Sequence, residues 1–213
     1  MMIFNLLKKD VLIIKKYVLI MLAAAIIIPP FILWRVPEFT GKLGFILSEI
    51  FCVLMLVQYV SLKEYQSPKA ATLLCTTPFS RKMMVLSRYI FCIAVYAACC
   101  IIYAVETLII PGLGTADTMM YFLMFFVIAV FISIYLPIQY KLGYEKTRFV
   151  CSAVMVASPF LLPYFMKMGS LNLDFLSALS PILVCCCILL ISCAVLAASA
   201  ALSVKFYNET ELA

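Results

Sequence analysis

Apolar residues fall in six long runs, and the polar positions between them are few and mostly basic. The runs cover 17–34, 43–62, 89–110, 118–137, 149–165 and 179–204. Each approaches the ~20 residues that a helix needs to cross a hydrocarbon layer about 30 Å thick. The pattern predicts an all-α membrane protein with six transmembrane helices in one domain, 1–213. Ahead of the first run, residues 2–16 put Asn5, Lys8, Lys9, Lys15 and Lys16 on one arc of a helix and Phe4, Leu7, Val11 and Ile14 on another. This amphipathic segment, 1–16, is expected to lie along the membrane surface. The first run is long enough to span and no cleavage site follows it, so it reads as an uncleaved anchor. Pro29 and Pro30 are expected to kink or end it, and Pro159 and Pro163 interrupt the fifth run. Pro111-Gly112-Leu113-Gly114 predicts a tight turn between the third and fourth.

The longest polar interruption is 63–88. Ser67 followed by Pro68 is a helix start, with a hydroxyl to cap free amides and proline at the first helical position. A short helix is expected over 68–75, and after the break at Pro78 a second start at Ser80 opens the basic run 81–88. A turn alone needs only a few residues, so a helix pair here suggests a docking surface. The alternative is an ordinary interfacial loop whose lysines and arginines fix topology.

Composition narrows the class. With 67% hydrophobic residues, 12% charged residues and a mean hydropathy of +1.16, most of the surface must face lipid. The net charge of +6 is spread beside apolar spans, which argues against a nucleic-acid partner. Basic residues lie at the N-terminal segment (Lys8, Lys9, Lys15, Lys16), the second-to-third loop (Lys63, Lys69, Arg81, Lys82, Arg88), the fourth-to-fifth loop (Lys141, Lys146, Arg148) and the tail (Lys205). The other side has Arg35, Lys42 and Lys167. Thirteen against three places both termini and the 63–88 loop in the cytoplasm. The ten cysteines form no C-x-x-C pair, and they read as small lipid-compatible or packing residues.

The chain has no histidine and no G-x-x-x-x-G-K-[ST] loop, and Asp10, Asp117 and Asp174 lie at span ends or in loops. Histidine-based nucleophile pairs, a histidine-ligated zinc, nucleotide hydrolysis by this chain and paired-aspartate proteolysis all lack their parts. No metal or catalytic residue is expected. Glu49 and Glu106 are the exceptions within spans, at similar depth on neighbouring runs. Ionisable groups in a span face the bundle interior or a wet cavity, because lipid exposure costs roughly 2.5 to 3.5 kcal/mol. The two glutamates therefore line a pathway suited to cationic or amphipathic cargo, or else snorkel or pair with Arg35, Lys42 or Lys167. Gln58 reads first as an interhelical hydrogen-bond partner and second as pathway lining. Tyr96, Tyr103, Tyr121, Tyr135 and Tyr140 are expected mostly to face lipid or the membrane belt.

Glu64 and then Leu73-Leu-Cys-Thr-Thr-Pro78-Phe-Ser-Arg-Lys82-Met-Met-Val85-Leu-Ser-Arg88-Tyr89 resemble an element of small six-span ABC-2-type permeases. The amphipathic N-terminus, the six runs and the length match as well, so the likeness covers the whole chain. Cys75-Thr76-Thr77 stands where such permeases more often carry Leu-Ser-Leu, and Arg88 replaces a more usual lysine. By size and oiliness the chain looks most like the permeases of exporters for phenol-soluble modulins. The resemblance implies the ABC-2 (type V) exporter fold, with 1–16 as an elbow helix and 68–75 as a coupling helix. It further implies a homodimer bound to two copies of a separate ATPase, in a bacterial cytoplasmic membrane. ATP and Mg would be held by that partner, leaving this chain without a cofactor. Glu64, Pro68, Lys69, Leu73, Leu74, Thr77, Pro78, Arg81 and Lys82 would then contact the ATPase. Other cargoes consistent with the resemblance are lipids or drugs, including self-protection against antimicrobial peptides; a non-transporting sensor or assembly subunit is the reading from a different class.

Overall fold

The computed structural model describes residues 2–35, 42–66, 81–110, 113, 118–168 and 181–210. Among them the chain forms seven helices: α1 (Met2–Ile13), α2 (Lys15–Arg35), α3 (Lys42–Gln66), α4 (Arg81–Ile109), α5 (Thr118–Leu142), α6 (Tyr144–Met168) and α7 (Pro181–Thr210). Five of the described helices are long and apolar enough to cross a membrane: Lys15–Arg35, Leu43–Gln66, Lys82–Ile109, Thr118–Leu142 and Ile182–Glu209. The 25-residue α6 carries the expected run 149–165, whose side chains past Leu161 lie outside the described residues.

The helices reach beyond the apolar runs into the 63–88 segment from both sides. α3 continues to Gln66 and α4 already begins at Arg81. Helix formation needs only satisfied backbone bonds, and the amphipathic 81–88 run supplies a buried stripe, Val85, Arg88 and Tyr89, to dock it. The coupling-helix positions 68–75, with Thr77 and Pro78, lie outside the described residues. Pro29 and Pro30 do not end α2, which runs on to Arg35. Instead, Gly44 of α3 lies against Pro29, where an added Cβ would come within 3.1 Å of the Pro29 Cα. The missing side chain is what allows that approach.

Burial ranks the helices. In α3, 61% of the most apolar window is buried, against 17% in α2, so α3 is central and α2 peripheral. α2, α4 and α6 all pack on α3, and α5 and α7 form the most extensive pairing in the bundle. The main core runs through Phe45, Val53 and Val57 of α3, Cys92 and Tyr103 of α4, and Ile128, Ile132 and Leu136 of α5. Outward faces are as apolar as the core: Ile27, Phe31, Leu108, Phe160, Ile182 and Leu190 are all exposed. Lipid is the only solvent in which such a surface is stable.

Tyr96, Tyr103 and Tyr135 depart from the lipid-facing expectation, since all three are buried. Tyr96 donates its hydroxyl to the Tyr121 carbonyl at 2.6 Å, tying α4 to α5. Tyr103 and Tyr121 both pack on Phe45 with ring centroids 4.9 Å apart. A large ring with one polar atom fills core volume at no cost once that atom has a partner, and composition alone does not tell such a ring from a belt tyrosine.

Connections are tight where they are described. Gly143 alone separates α5 from α6, with φ of 81°, a conformation that side-chain-bearing residues rarely adopt. The Thr147 hydroxyl caps the turn by donating to the Gly143 carbonyl at 2.9 Å. α1 and α2 meet at Ile14, which is fully buried and whose carbonyl accepts from the Tyr17 and Val18 amides at 2.7 and 2.9 Å. Among the described free cysteines, Cys52, Cys92, Cys99 and Cys151 are buried in the packing, whereas Cys186, Cys187 and Cys193 are exposed on the apolar surface of α7.

Candidate functional site

At one end of the bundle, α1, the end of α3 and the beginning of α4 converge on four charges. Arg88 is buried on α4 and its Nη2 pairs with Glu64 Oε2 of α3. Lys9 of α1 lies 3.1 Å from Asp10 Oδ1 and 3.7 Å from Glu64 Oε1. Asp10 is buried too, and its carboxylate is within electrostatic reach of the Arg88 guanidinium. The quartet holds two positive and two negative groups, so the charges balance where a lone buried ion would be costly.

Local sequence explains how each member arrives. Leu6, Asp10 and Ile14 lie at i, i+4 and i+8, one stripe of α1, and all three are buried. The inward stripe of α1 thus differs from the arc expected from hydropathy: Ile14 belongs to it, whereas Val11 is exposed. Lys15 and Lys16 are also exposed, on the polar arc as expected. Glu64 is on the last turn of α3, while Arg88 is two turns into α4. The helices on either side of residues 67–80 are therefore clamped to each other, through Glu64 at the end of α3 and Arg88 two turns into α4.

Polar contacts continue from this quartet across the bundle. Tyr89 is next to Arg88, and its hydroxyl shares hydrogen bonds with Ser199 and Ser203 of α7 at 2.7 and 2.8 Å. Ser199 in turn donates to the Ser133 carbonyl of α5 at 2.8 Å. Tyr140 of α5 packs edge-on against Tyr207 of α7, centroids 5.4 Å apart. On the other flank, Gln58 Nε2 of α3 donates to Ser152 Oγ at 3.3 Å and the Arg148 carbonyl at 3.4 Å on α6, the interhelical role anticipated for it. Tyr65 donates to Glu145 Oε1 at 2.6 Å, a second tie between α3 and α6. A displacement of the α3 or α4 ends is thereby linked to α1, α5, α6 and α7.

The opposite half of the bundle holds the two acidic candidates. Glu49 is fully buried between α3 and α4; its Oε1 accepts from the Cys100 thiol at 3.3 Å, and its Oε2 has no hydrogen-bond partner among the described residues. Glu106 is also buried, and neither of its oxygens has such a partner. Neither glutamate pairs with a cation among the described residues. Arg35 packs its guanidinium over Trp34, 5.3 Å from the ring centroid, and the side chains of Lys42 and Lys167 lie outside the described residues. The two carboxylates make no described contact with each other. Full burial rules out snorkelling for Glu49.

Of the remaining expected positions, Lys82 is exposed at the start of α4. Pro68, Lys69, Leu73, Leu74, Thr77 and Pro78, and the side chains of Lys8 and Arg81, lie outside the described residues. Asp10, Tyr89, Ser199 and Ser203 were not singled out from sequence. For Asp10 a signal was there: an acidic residue midway between two leucine-like positions one helical turn away on either side.

Among the described residues no group of histidine, cysteine or acidic side chains is arranged to hold a metal ion. A family model described as ABC-2 family transporter protein matches residues 5–208. No curated protein matches, and no solved structure does.

Proposed function

The chain belongs to the ABC-2 family of transporter proteins, a membrane component rather than an enzyme, and we propose that it is the permease subunit of an exporter driven by a separate ATPase. In this reading six helices span the membrane, α6 among them, with α1 as an interfacial elbow and both chain ends in the cytoplasm. Two copies of the chain pair into one pathway, and two ATPase copies bind beneath it in the bacterial cytoplasmic membrane, supplying the ATP and Mg chemistry. The 67–80 segment is the grip, with Leu73 and Leu74 as buried anchors and Lys69, Arg81 and Lys82 at the rim.

The observation that supports this best is the Glu64–Arg88 pair. It closes the base of the segment between α3 and α4 and extends through Lys9 and Asp10 to α1. A push on the segment then moves helices as rigid bodies and does not dissipate in a flexible hairpin. A loop that served only to fix topology would need no buried counter-ion at its base. The same rigidity weighs against the reading as a passive assembly subunit.

For the cargo, the two glutamates, neither paired with a cation among the described residues, favour hydrophobic or amphipathic molecules carrying positive charge, such as modulin-like or antimicrobial peptides. Glu49 lies on α3 and Glu106 on α4, the two helices joined at Glu64 and Arg88. Parting those helices at one end would open the acidic pair at the other.

Affinity purification of the chain from its native membrane, with identification of co-purifying P-loop ATPases, tests the proposal. A stoichiometric ATPase is expected. Purification with no ATPase, from membranes where the complex is active, would overturn it.

A further inference from the structure

Between α1, α2, α3 and α4 an apolar groove of about 450 Å³ opens on the lipid-facing surface. Val11 and Leu12 of α1, Val18 and Leu22 of α2, and Phe91 and Cys99 of α4 form its walls. We propose that this groove holds one acyl chain of a phospholipid whose anionic headgroup sits on Lys15 and Lys16.

Three observations favour that occupant over others. The walls offer hydrocarbon, an aromatic ring and thiols, so water gains nothing there. The volume is that of roughly fifteen liquid waters, enough for a hydrocarbon chain. An α-helix about 10–12 Å across lays only the side chains of one face into a groove of this size, whereas a hydrocarbon chain enters it whole. The charge is also placed for a headgroup. Lys15 and Lys16 lie in sequence between Leu12 and Val18, on the first turn of α2. Both are exposed and neither forms an ion pair among the described residues, while Lys9 is already committed to Asp10 and Glu64. Two exposed cations, unpaired among the described residues and placed at the α1–α2 junction beside an apolar slot, match the two parts of an acidic phospholipid. The inference needs only that the chain is embedded in a membrane and stands apart from any transport role.

Lipid-specific fluorescence quenching tests it, because the protein has a single tryptophan, Trp34, exposed near the opposite end of α2. The full chain is placed in bilayers of phosphatidylcholine containing increasing fractions of acyl-brominated phosphatidylglycerol or, separately, brominated phosphatidylcholine. A Leu22→Trp, Trp34→Phe variant reports on the groove, and wild-type Trp34 reports on bulk lipid. Half-quenching at the groove is expected at about a tenfold lower fraction of phosphatidylglycerol than of phosphatidylcholine, with no preference at Trp34. Adding Lys15→Gln and Lys16→Gln should remove the preference. Equal quenching by both lipids at the groove would overturn the proposal, as would no quenching there while Trp34 is quenched, since protein would then fill the slot. If the reporter variant fails to fold, native mass spectrometry of the unmodified chain gives the same decision. Retention of phosphatidylglycerol over phosphatidylcholine, lost with the two lysine substitutions, supports the site, and unselective retention refutes it.

Discussion

Ionisable groups are buried at both ends of the α3–α4 pair, and the two ends treat them in opposite ways. At one end Arg88 and Asp10 are enclosed with Glu64 and Lys9 beside them, so every charge has an opposite neighbour. At the other, Glu49 and Glu106 are enclosed with no cation near them among the described residues. The first arrangement is that of a joint: its charges are paired in this state, even though Arg88 Nη1 has no hydrogen-bond partner among the described residues, and the pairing resists change. The second leaves buried polar atoms without described partners, which is the cost that the proposed cargo or a parting of the helices would recover.

Breaking the joint should give the largest change in stability. Glu64→Gln leaves the Arg88 guanidinium buried beside an uncharged group. A wholly buried pair would lose ~3–5 kcal/mol when one partner is removed. Glu64 is 43% exposed, so a loss of about 2 kcal/mol is expected in reversible unfolding in mixed micelles. Arg88→Met should cost less, because the stranded Glu64 remains in contact with water. Equal costs would mean that the joint is not held by burial of Arg88.

At the other end the sign reverses. Glu49→Met removes a buried carboxyl whose Oε2 lacks a partner among the described residues, at the loss of one weak bond from the Cys100 thiol, and stability should rise by about 1 kcal/mol. In reconstituted vesicles, Glu49→Gln with Glu106→Gln should lower export of basic amphipathic peptides while sparing neutral ones. Loss of stability on Glu49→Met, together with equal transport loss for both peptide classes, would make these glutamates structural. The smallest effect concerns the polar chain between the two ends. Tyr89→Phe removes the hydroxyl shared with Ser199 and Ser203 and should cost about 1 kcal/mol, the usual scale of an interhelical hydrogen bond in a membrane. A cost near zero would detach α7 from the joint.

How much of this could be read in advance follows from what each signal depends on. The apolar runs mark where helices cross, because desolvated backbone leaves few other options, and α2, α3, α4, α5 and α7 fall on five of the six expected runs. Helix ends divide: the start that Ser80 marks agrees with α4, which begins at Arg81, whereas the continuation of α3 to Gln66 carries no signal in the apolar pattern. Tyr103 and Trp34 show the same limit from the other direction. Both are aromatic residues in spans, yet one is buried and the other exposed, and only the neighbouring helices decide which. Glu64 and Arg88 were visible as part of a motif, but their pairing and the recruitment of Asp10 needed three dimensions.

The Glu64–Arg88 joint matters for function only if the segment it anchors is gripped from outside. ATP hydrolysis by the co-purified ATPase, reconstituted with the chain carrying Leu73→Asp and Leu74→Asp, measures that directly. Hydrolysis should fall to the rate of the isolated ATPase while the variant still inserts and keeps its unfolding midpoint. Full stimulation by this variant would contradict the lever between α3 and α4.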